Sequence, residues 1–254
     1  MSESGEMTFW DHFDVLRASL FRIAIVLIVA AVGLFSFKDF LFDDLILAPS
    51  KEDFFLYKWI GADVSLDLVN IEVTAQFMIH MKVSFLCAIV LTFPYVIFKV
   101  WQFIVPALYE NERKKVRNGF LFASVLFYLG VIIGYSLIFP LMLNFFADYQ
   151  VSAAVPNMFS LSSYISLLTS MVLTFGIVFE FPTLVVVLSS LGILKKEWMR
   201  KYRRHAILAV VVLAAIITPS GDPFSLAVVT LPLYLLYEFS VFICKSDKTI
   251  TIEN

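Results

Sequence analysis

The sequence predicts an all-α, polytopic membrane protein with six transmembrane helices and both termini in the cytoplasm. Three observations support this prediction: the apolar composition, the length of the apolar runs and the distribution of basic residues. Of the 254 residues, 60% are hydrophobic and 16% are charged, whereas soluble domains are about 45–50% apolar and about 25% charged. One globular core in a chain of this size cannot hide so much apolar surface. The net charge of −2 gives no support for nucleic-acid binding.

The apolar runs set the expected number of membrane spans. A bilayer core of about 30 Å needs roughly 20 apolar residues of helix. Six runs reach or approach this length, at residues 20–37, 77–98, 119–143, 162–190, 205–218 and 224–244. The fourth run is longer than a span requires, so we expect it to be tilted, kinked or partly outside the bilayer. The fifth is short, about 20 Å as a helix.

The basic residues set the expected orientation. Fifteen of the 19 lysines and arginines lie near the N-terminus, in the second and fourth loops or in the C-terminal tail. The other side of the predicted membrane has only Lys38, Lys51 and Lys58, and Lys82 lies within the second span. The positive-inside rule therefore places both termini in the cytoplasm.

Two segments outside the spans have their own predicted structure. Residues 8–19 form an amphipathic helix with Phe9, Phe13 and Leu16 on one face, which is expected to lie on the cytoplasmic membrane surface before the chain turns into the first span. The first outer loop, residues 38–76, is long and acidic. Long structureless loops are uncommon in compact domains, so we expect short helices in it that pack over the spans.

The sequence contains almost no residues arranged for catalysis or metal binding. Its three histidines, His12, His80 and His205, lie at different membrane edges, and it contains no HExxH, GxGxxG, GxxxxGK[ST] or GxSxG motif. The two cysteines lie in apolar runs and are interpreted as small hydrophobic residues. We therefore predict no enzyme activity, no cofactor and no metal.

A few charged residues lie where the bilayer makes charge costly. Glu180 is deep in the fourth span, where a charge costs about 2.5–3.5 kcal/mol on insertion scales, so such a residue usually faces a partner or a wet cavity. A protonated glutamate that is hydrogen-bonded within the bundle is the alternative. Glu238 lies nearer the cytoplasmic end, where snorkelling to the surface explains it equally well. Lys82 is expected to reach lipid headgroups or an acidic loop residue.

Four prolines lie inside the predicted spans, at Pro94, Pro140, Pro182 and Pro232. Each removes a backbone hydrogen bond and is expected to kink its helix. Bent helices form a concave bundle more readily than straight ones. Pro182 follows Glu180 by two residues, so we predict that the bend and the carboxylate share one site.

The second span ends in an aromatic stretch that is followed by a basic loop. Glu110 and Glu112 lie in this loop, where the positive-inside rule alone favours only basic residues. Carboxylates can bind a guanidinium group with two parallel hydrogen bonds, which a lysine cannot match in geometry. The pattern is therefore suited to capturing arginine at the cytoplasmic face.

These motifs resemble those of the TatC subunit family of twin-arginine translocases. The resemblance runs from about Phe9 to Cys244, so one domain over residues 1–254 is expected. It rests on separate motifs at residues 12–17, 48–49, 77 with 82, 103–113, 175–182, 218–222 and 231–238. The most specific are Pro106-Ala107-Leu108-Tyr109 followed by Glu112-Arg113, and Phe179-Glu180-Phe181-Pro182.

The resemblance implies a protein-export receptor in the cytoplasmic (inner) membrane. Proteins of this family bind the twin-arginine signal peptides of folded cargo at the cytoplasmic face and work with single-span subunits of the TatA and TatB types. The protonmotive force drives their transport, and the subunit forms homo-oligomers within the complex. Their fold is a six-helix concave bundle whose short fifth and sixth helices thin the adjacent bilayer.

The resemblance also assigns roles by position. The predicted signal-peptide residues are Glu112, Phe103, Arg17, Asp14, Tyr109, Arg113 and Glu110. Glu180 matches a glutamate that meets a polar residue on a partner helix, and the outer cap is shaped by Pro49, Thr218, Pro219 and Asp222. The family usually has a glutamate directly before Leu16-Arg17, where this chain has Val15. Asp14 is one step, about 100° of helix, away and does not simply replace it.

A secondary transporter or ion channel is the alternative interpretation, with Glu180 and Glu238 as a proton relay. Such proteins usually contain internal repeats and several ionisable residues at the bilayer midplane. This chain has one carboxylate near mid-membrane and no evident repeat. The sequence therefore favours the export receptor.

Overall fold

A computed structural model of the chain describes residues 9–62, 64–104, 110–152, 154–218 and 221–244, with backbone alone for 9–12, 104, 110–118 and 120. The helices of these residues are α1 (Phe9–Phe35), α2 (Phe55–Ile60), α3 (Ala75–Ile104), α4 (Glu110–Ile133), α5 (Phe139–Asp148), α6 (Leu161–Val178), α7 (Phe181–Ser190), α8 (Lys196–Lys201), α9 (Arg203–Ile217) and α10 (Pro223–Ile243). Two π-helical segments, Phe40–Ile46 and Gly134–Ile138, and a 3-10 turn, Ala48–Ser50, complete the helical structure. Strands β1 (Leu68–Val69) and β2 (Phe159–Ser160) form a short parallel pair.

Five segments of the described residues are long and apolar enough to cross a membrane. They are Phe13–Phe35, Ala75–Phe103, Leu121–Asp148, Leu161–Ser190 and Pro223–Ile243. The predicted fifth span, 205–218, corresponds to α9, which has 15 residues and is about 22 Å long. This length is less than the hydrocarbon thickness of a typical bilayer. The chain is a multi-pass membrane protein, and the count of six spans stays a prediction.

The N-terminal region differs from the expected surface helix followed by a separate span. Residues 9–35 form one continuous helix, α1, with no turn between the predicted segments 8–19 and 20–37. Leu16 to Arg22 contain no proline or glycine, so nothing in the local sequence ends the helix there. No side chain from Phe13 to Phe35 is fully buried, and α1 packs mainly along α3, where Phe35 stacks on His80 with 3.8 Å between ring centroids.

The prolines interrupt some helices and leave others continuous. The fourth apolar run is broken between α6 and α7, where the Glu180 N–H bonds to the Ile177 carbonyl at 3.0 Å and Pro182 lies in the first turn of α7. The helix is therefore interrupted beside Glu180, at the place where the bend was predicted. Pro140 lies in the first turn of α5, which follows the π-helical segment Gly134–Ile138. Pro94 and Pro232, by contrast, lie within α3 and α10, which continue through them as single helices.

The first outer loop contains the predicted short helices. The π-helical segment, the 3-10 turn and α2 lie within residues 40–60, and the Tyr164 hydroxyl of α6 donates a hydrogen bond to the Ile46 carbonyl at 2.8 Å. β1 pairs with β2 before α6, a contact that the sequence did not predict. The loop is therefore attached at two places, to α6 through Tyr164 and to β2, which directly precedes α6.

The main core lies between α3, α4, α6 and α10, and small residues permit a close contact between α4 and α6. Gly130 of α4 faces α6 so closely that an added Cβ atom would lie 2.3 Å from the Phe175 carbonyl oxygen and 2.8 Å from the Phe179 Cβ. Gly134, one turn later, faces the Met171 carbonyl oxygen, which a Cβ would approach to 2.8 Å. Small residues at such spacing let membrane helices approach by van der Waals contact. The apolar pattern of the sequence did not single out this pair.

Candidate functional site

The predicted arginine-binding residues lie where α3 ends and α4 begins. Phe103 is half-buried in the last turn of α3. Glu110, Glu112 and Arg113 lie among the first four residues described for α4. The backbone of both glutamates is helical.

Tyr109 lies outside the described residues, and only the backbone of Glu110, Glu112 and Arg113 is described. The structure thus brings Phe103 and the three α4 residues to one connection between two long helices. Their assignment to signal-peptide binding stays a prediction.

The predicted residues on α1 contact each other. The Arg17 guanidinium lies 3.4 Å from an Asp14 carboxylate oxygen, with both side chains about two-thirds exposed. Exposed ion pairs of this kind contribute little stability, about 0–1 kcal/mol. The pair is therefore easily opened by a competing charged ligand. Val15, at the position where the family usually has glutamate, is also exposed.

Glu180 lies at the break between α6 and α7 as the N-cap residue of α7, but its side chain makes no capping bond. Its Oε1 atom is buried and finds no hydrogen-bond partner within the described residues. The Thr183 hydroxyl, one turn on, lies near the carboxylate but makes no hydrogen bond of regular geometry. An unsatisfied buried polar group costs about 1–3 kcal/mol. The alternative prediction, a glutamate that is hydrogen-bonded within the bundle, is therefore not observed for this oxygen. The unmatched Thr183 hydroxyl was not anticipated from the sequence.

Glu238 has partners within the bundle. One carboxylate oxygen lies 2.6 Å from the Arg203 guanidinium, and the other accepts a hydrogen bond from the Tyr234 hydroxyl at 3.0 Å. This network connects the start of α9 with α10. The Tyr237 hydroxyl supports the same region by donating to the Met199 carbonyl of α8 at 2.7 Å. Glu238 therefore has a structural explanation that the sequence did not supply, since its partner is 35 residues away.

The proposed cap residues make local structural contacts. The Pro49 carbonyl accepts a hydrogen bond from the buried Tyr57 hydroxyl at 2.7 Å, and burial raises the pKa of that hydroxyl above its usual value. Thr218 is buried and donates to the Ala214 carbonyl at 2.9 Å. Asp222 caps α10 by accepting from the Ser225 N–H at 2.8 Å. Pro219 lies outside the described residues.

The cap also carries an exposed ion pair on the first loop. The Lys58 ammonium lies 2.9 Å from an Asp53 carboxylate oxygen, and this hydrogen bond and charge hold the pKa of Asp53 below its usual value.

In the described part of the chain, no three histidine, cysteine, aspartate or glutamate side chains cluster as a metal site would require.

Comparison with known proteins decides the family. Residues 11–232 match the family model described as Sec-independent protein translocase protein (TatC). The chain belongs to the TatC family. It is 35% identical to the TatC protein of Blattabacterium sp. subsp. Periplaneta americana (strain BPLAN), over 95% of this chain and 96% of the relative. It is 31% identical to the TatC protein of Deinococcus radiodurans, over 99% of this chain and 90% of the relative.

Solved TatC structures have the same fold. A crystal structure of the twin arginine translocase receptor TatC superposes with a TM-score of 0.74 at 28% identity, covering 91% of this chain and 96% of that one. A second crystal structure of that receptor, in the detergent DDM, gives a TM-score of 0.78 at 28% identity, covering 92% and 99%. The resemblance inferred from the motifs is confirmed, and the chain is a protein translocase component of the TatC family.

Proposed function

We propose that this chain is the signal-peptide receptor of a twin-arginine translocase, which exports folded proteins using the protonmotive force. The observation that carries the proposal is the match over nearly the full length to solved TatC structures, which are those of a twin arginine translocase receptor. The carboxylates of Glu110 and Glu112, two residues of α4, give the proposal its chemistry.

The proposed binding step is the capture of two arginines by carboxylates at the cytoplasmic face. Glu112 accepts a guanidinium through two parallel hydrogen bonds, with Glu110, Tyr109 and Arg113 completing the surface. Phe103 offers apolar contact to the signal peptide at the end of α3. Asp14 and Arg17 of α1 exchange their mutual ion pair for contacts with the peptide, at small cost because the pair is exposed.

The proposed topology puts these residues on the cytoplasmic side of the inner membrane. It has six spans with both termini inside, and it rests on the fifteen basic residues that share one side of the predicted membrane. The short span is α9, whose 15 residues require the bilayer to thin or the flanking Arg203 and Arg204 to snorkel.

The proposed partners are TatA-type and TatB-type single-span subunits and further copies of this chain. Glu180 is the contact we assign to a partner helix. Its Oε1 atom is buried and unmatched within the described residues, so a hydroxyl or amide from a partner would satisfy it. A polar contact between membrane helices contributes about 0.6–2 kcal/mol.

We do not propose the proton-relay function. It needs Glu180 and Glu238 to act together, and Arg203 and Tyr234 already occupy both oxygens of Glu238.

Replacing Glu180 with leucine is expected to weaken the association with the partner helix by about three- to thirtyfold, while the fold is retained. Leucine fills the space without the unmatched oxygen, so the chain itself should be no less stable than the original. Site-specific cross-linking from position 177 to TatA-type and TatB-type partners measures the association. Phe181→Leu, at the next residue and partly exposed, is the matched control and should cross-link normally. Full cross-linking and export by Glu180→Leu would give Glu180 a purely structural role.

The proposed function predicts that the chain, supplied with its own partner subunits, restores export in a strain that lacks TatC. The readout is a fluorescent protein that folds in the cytoplasm and carries a twin-arginine signal peptide. A copy of the reporter with twin lysine is the control and should stay inside. Failure with cognate partners, or equal export of both reporters, would contradict the receptor function.

A further inference from the structure

Lys82 is a cation inside a membrane span. It lies seven residues into α3, about 10 Å along the helix from its start, and its side chain is exposed. Its Nζ atom lies 3.5 Å from the Ser166 hydroxyl of α6. No carboxylate lies within ion-pair distance of Lys82 among the described residues, so the expectation of an acidic loop partner is not met there. Ionisable groups in spans are costly and usually mark a site.

Two grooves flank this lysine. The first, of about 560 Å³, lies between α1 and α3 and has Lys82 in its wall, together with the apolar side chains of Val32, Phe35, Met81 and Phe85. The second, of about 380 Å³, includes Ser166 on α6 and is also lined by Phe146, Phe159 and Leu167. The Lys82–Ser166 contact therefore lies between two mainly apolar grooves.

We infer that Lys82 and Ser166 bind the phosphate of an anionic two-chain phospholipid whose acyl chains lie in the two flanking grooves. The charge is complementary, because an ammonium and a hydroxyl can both donate to phosphate oxygens. The depth is suitable, because a lysine stem can carry its charge to the boundary between hydrocarbon and headgroups. The shape is suitable, because one anionic head and two apolar chains match one cation between two grooves.

The walls of the grooves favour acyl chains as the occupant. Apart from Lys82, the first groove is lined only by apolar side chains, and Phe146, Phe159 and Leu167 give the second a mainly apolar wall. An extended acyl chain can follow such a groove. This lipid site does not depend on signal-peptide binding or on Glu180.

The test titrates the purified chain in detergent with a two-chain phosphatidylglycerol and counts bound lipids by native mass spectrometry. The original chain should retain one lipid. Lys82→Gln should bind it about fivefold more weakly, the effect of one basic residue on an anionic lipid, and Lys82→Arg should restore binding. Lys58→Gln is the matched control: it removes a lysine of the first outer loop that lines neither groove, and it should bind normally.

A second variant tests the grooves with the charge intact. Phe85→Ala shortens a half-exposed wall residue and should weaken binding of the two-chain lipid while leaving the chain folded, as checked by thermal unfolding. The one-chain lipid lysophosphatidylglycerol should bind the original chain more weakly than the two-chain form. Equal binding by Lys82→Gln and the original chain would overturn the site, as would equal binding of the one- and two-chain lipids. A cross-link from position 82 to a partner helix rather than to lipid would also overturn it.

Discussion

Replacing Glu112 with glutamine is expected to abolish export of twin-arginine cargo. Glutamine keeps the size of the side chain but removes the charge and one of the two acceptors for a guanidinium. Hydrogen bonds to charged groups are worth about 1.5–3 kcal/mol each, so losing one of the two bonds together with the charge weakens binding by about 3 kcal/mol, roughly a hundredfold. The measurement is export of the folded fluorescent reporter from a strain that has only the variant.

A neutral substitution elsewhere on the same side of the membrane controls for the loss of charge. Glu197→Gln changes an exposed glutamate of α8, outside the proposed binding residues, and should export normally. Both variants should accumulate in the membrane to the same level, because glutamine keeps the size of each glutamate side chain. If Glu112→Gln exports as well as Glu197→Gln, Glu112 is not the arginine acceptor.

Replacing Gly130 with alanine is expected to destabilise the bundle more than other single-methyl additions. The new Cβ would lie 2.3 Å from the Phe175 carbonyl oxygen, a backbone atom that can move only with α6. Overpacking typically costs about 1–3 kcal/mol, and this contact is with backbone rather than with a flexible side chain. We expect a lower unfolding temperature in detergent and a lower amount of the protein in membranes.

Gly33→Ala is the matched control for this prediction. Gly33 lies in α1, and nothing lies within 4 Å of the position that an added Cβ would take. Alanine there is expected to be neutral or to stabilise by about 0.5–1 kcal/mol, because it lowers the entropy of the unfolded chain. Equal unfolding temperatures for the two variants would show that α4 and α6 are not held at the described distance.

Five of the six predicted spans correspond to long apolar helices of the described residues, because bilayer thickness imposes a length on each apolar run. The bend near Glu180 could be predicted because Pro182 cannot donate a helical hydrogen bond. The continuity of α1 could not, since an amphipathic start followed by an apolar run fits either one helix or two. The π-helical segments and the β1–β2 pair also depend on tertiary contacts that leave no periodic pattern.

The same distinction applies to the candidate sites. Glu180 was identified from its cost in the bilayer alone, which holds whatever its neighbours are. The partner of Glu238 could not be identified, because Arg203 is brought to it only by the packing of α9 on α10. The contact between Lys82 and Ser166 spans 84 residues of sequence, so only the fold reveals the grooves beside it. The predicted signal-peptide residues were identified by their match to the TatC motifs.

Direct binding to the purified chain tests the receptor function most sharply. A fluorescent twin-arginine signal peptide is titrated into nanodiscs that contain the chain and its partner subunits, and a twin-lysine copy is titrated in parallel. We predict at least about tenfold tighter binding of the arginine peptide, because lysine cannot form the bidentate pair. Equal affinity for the two peptides would contradict the receptor function.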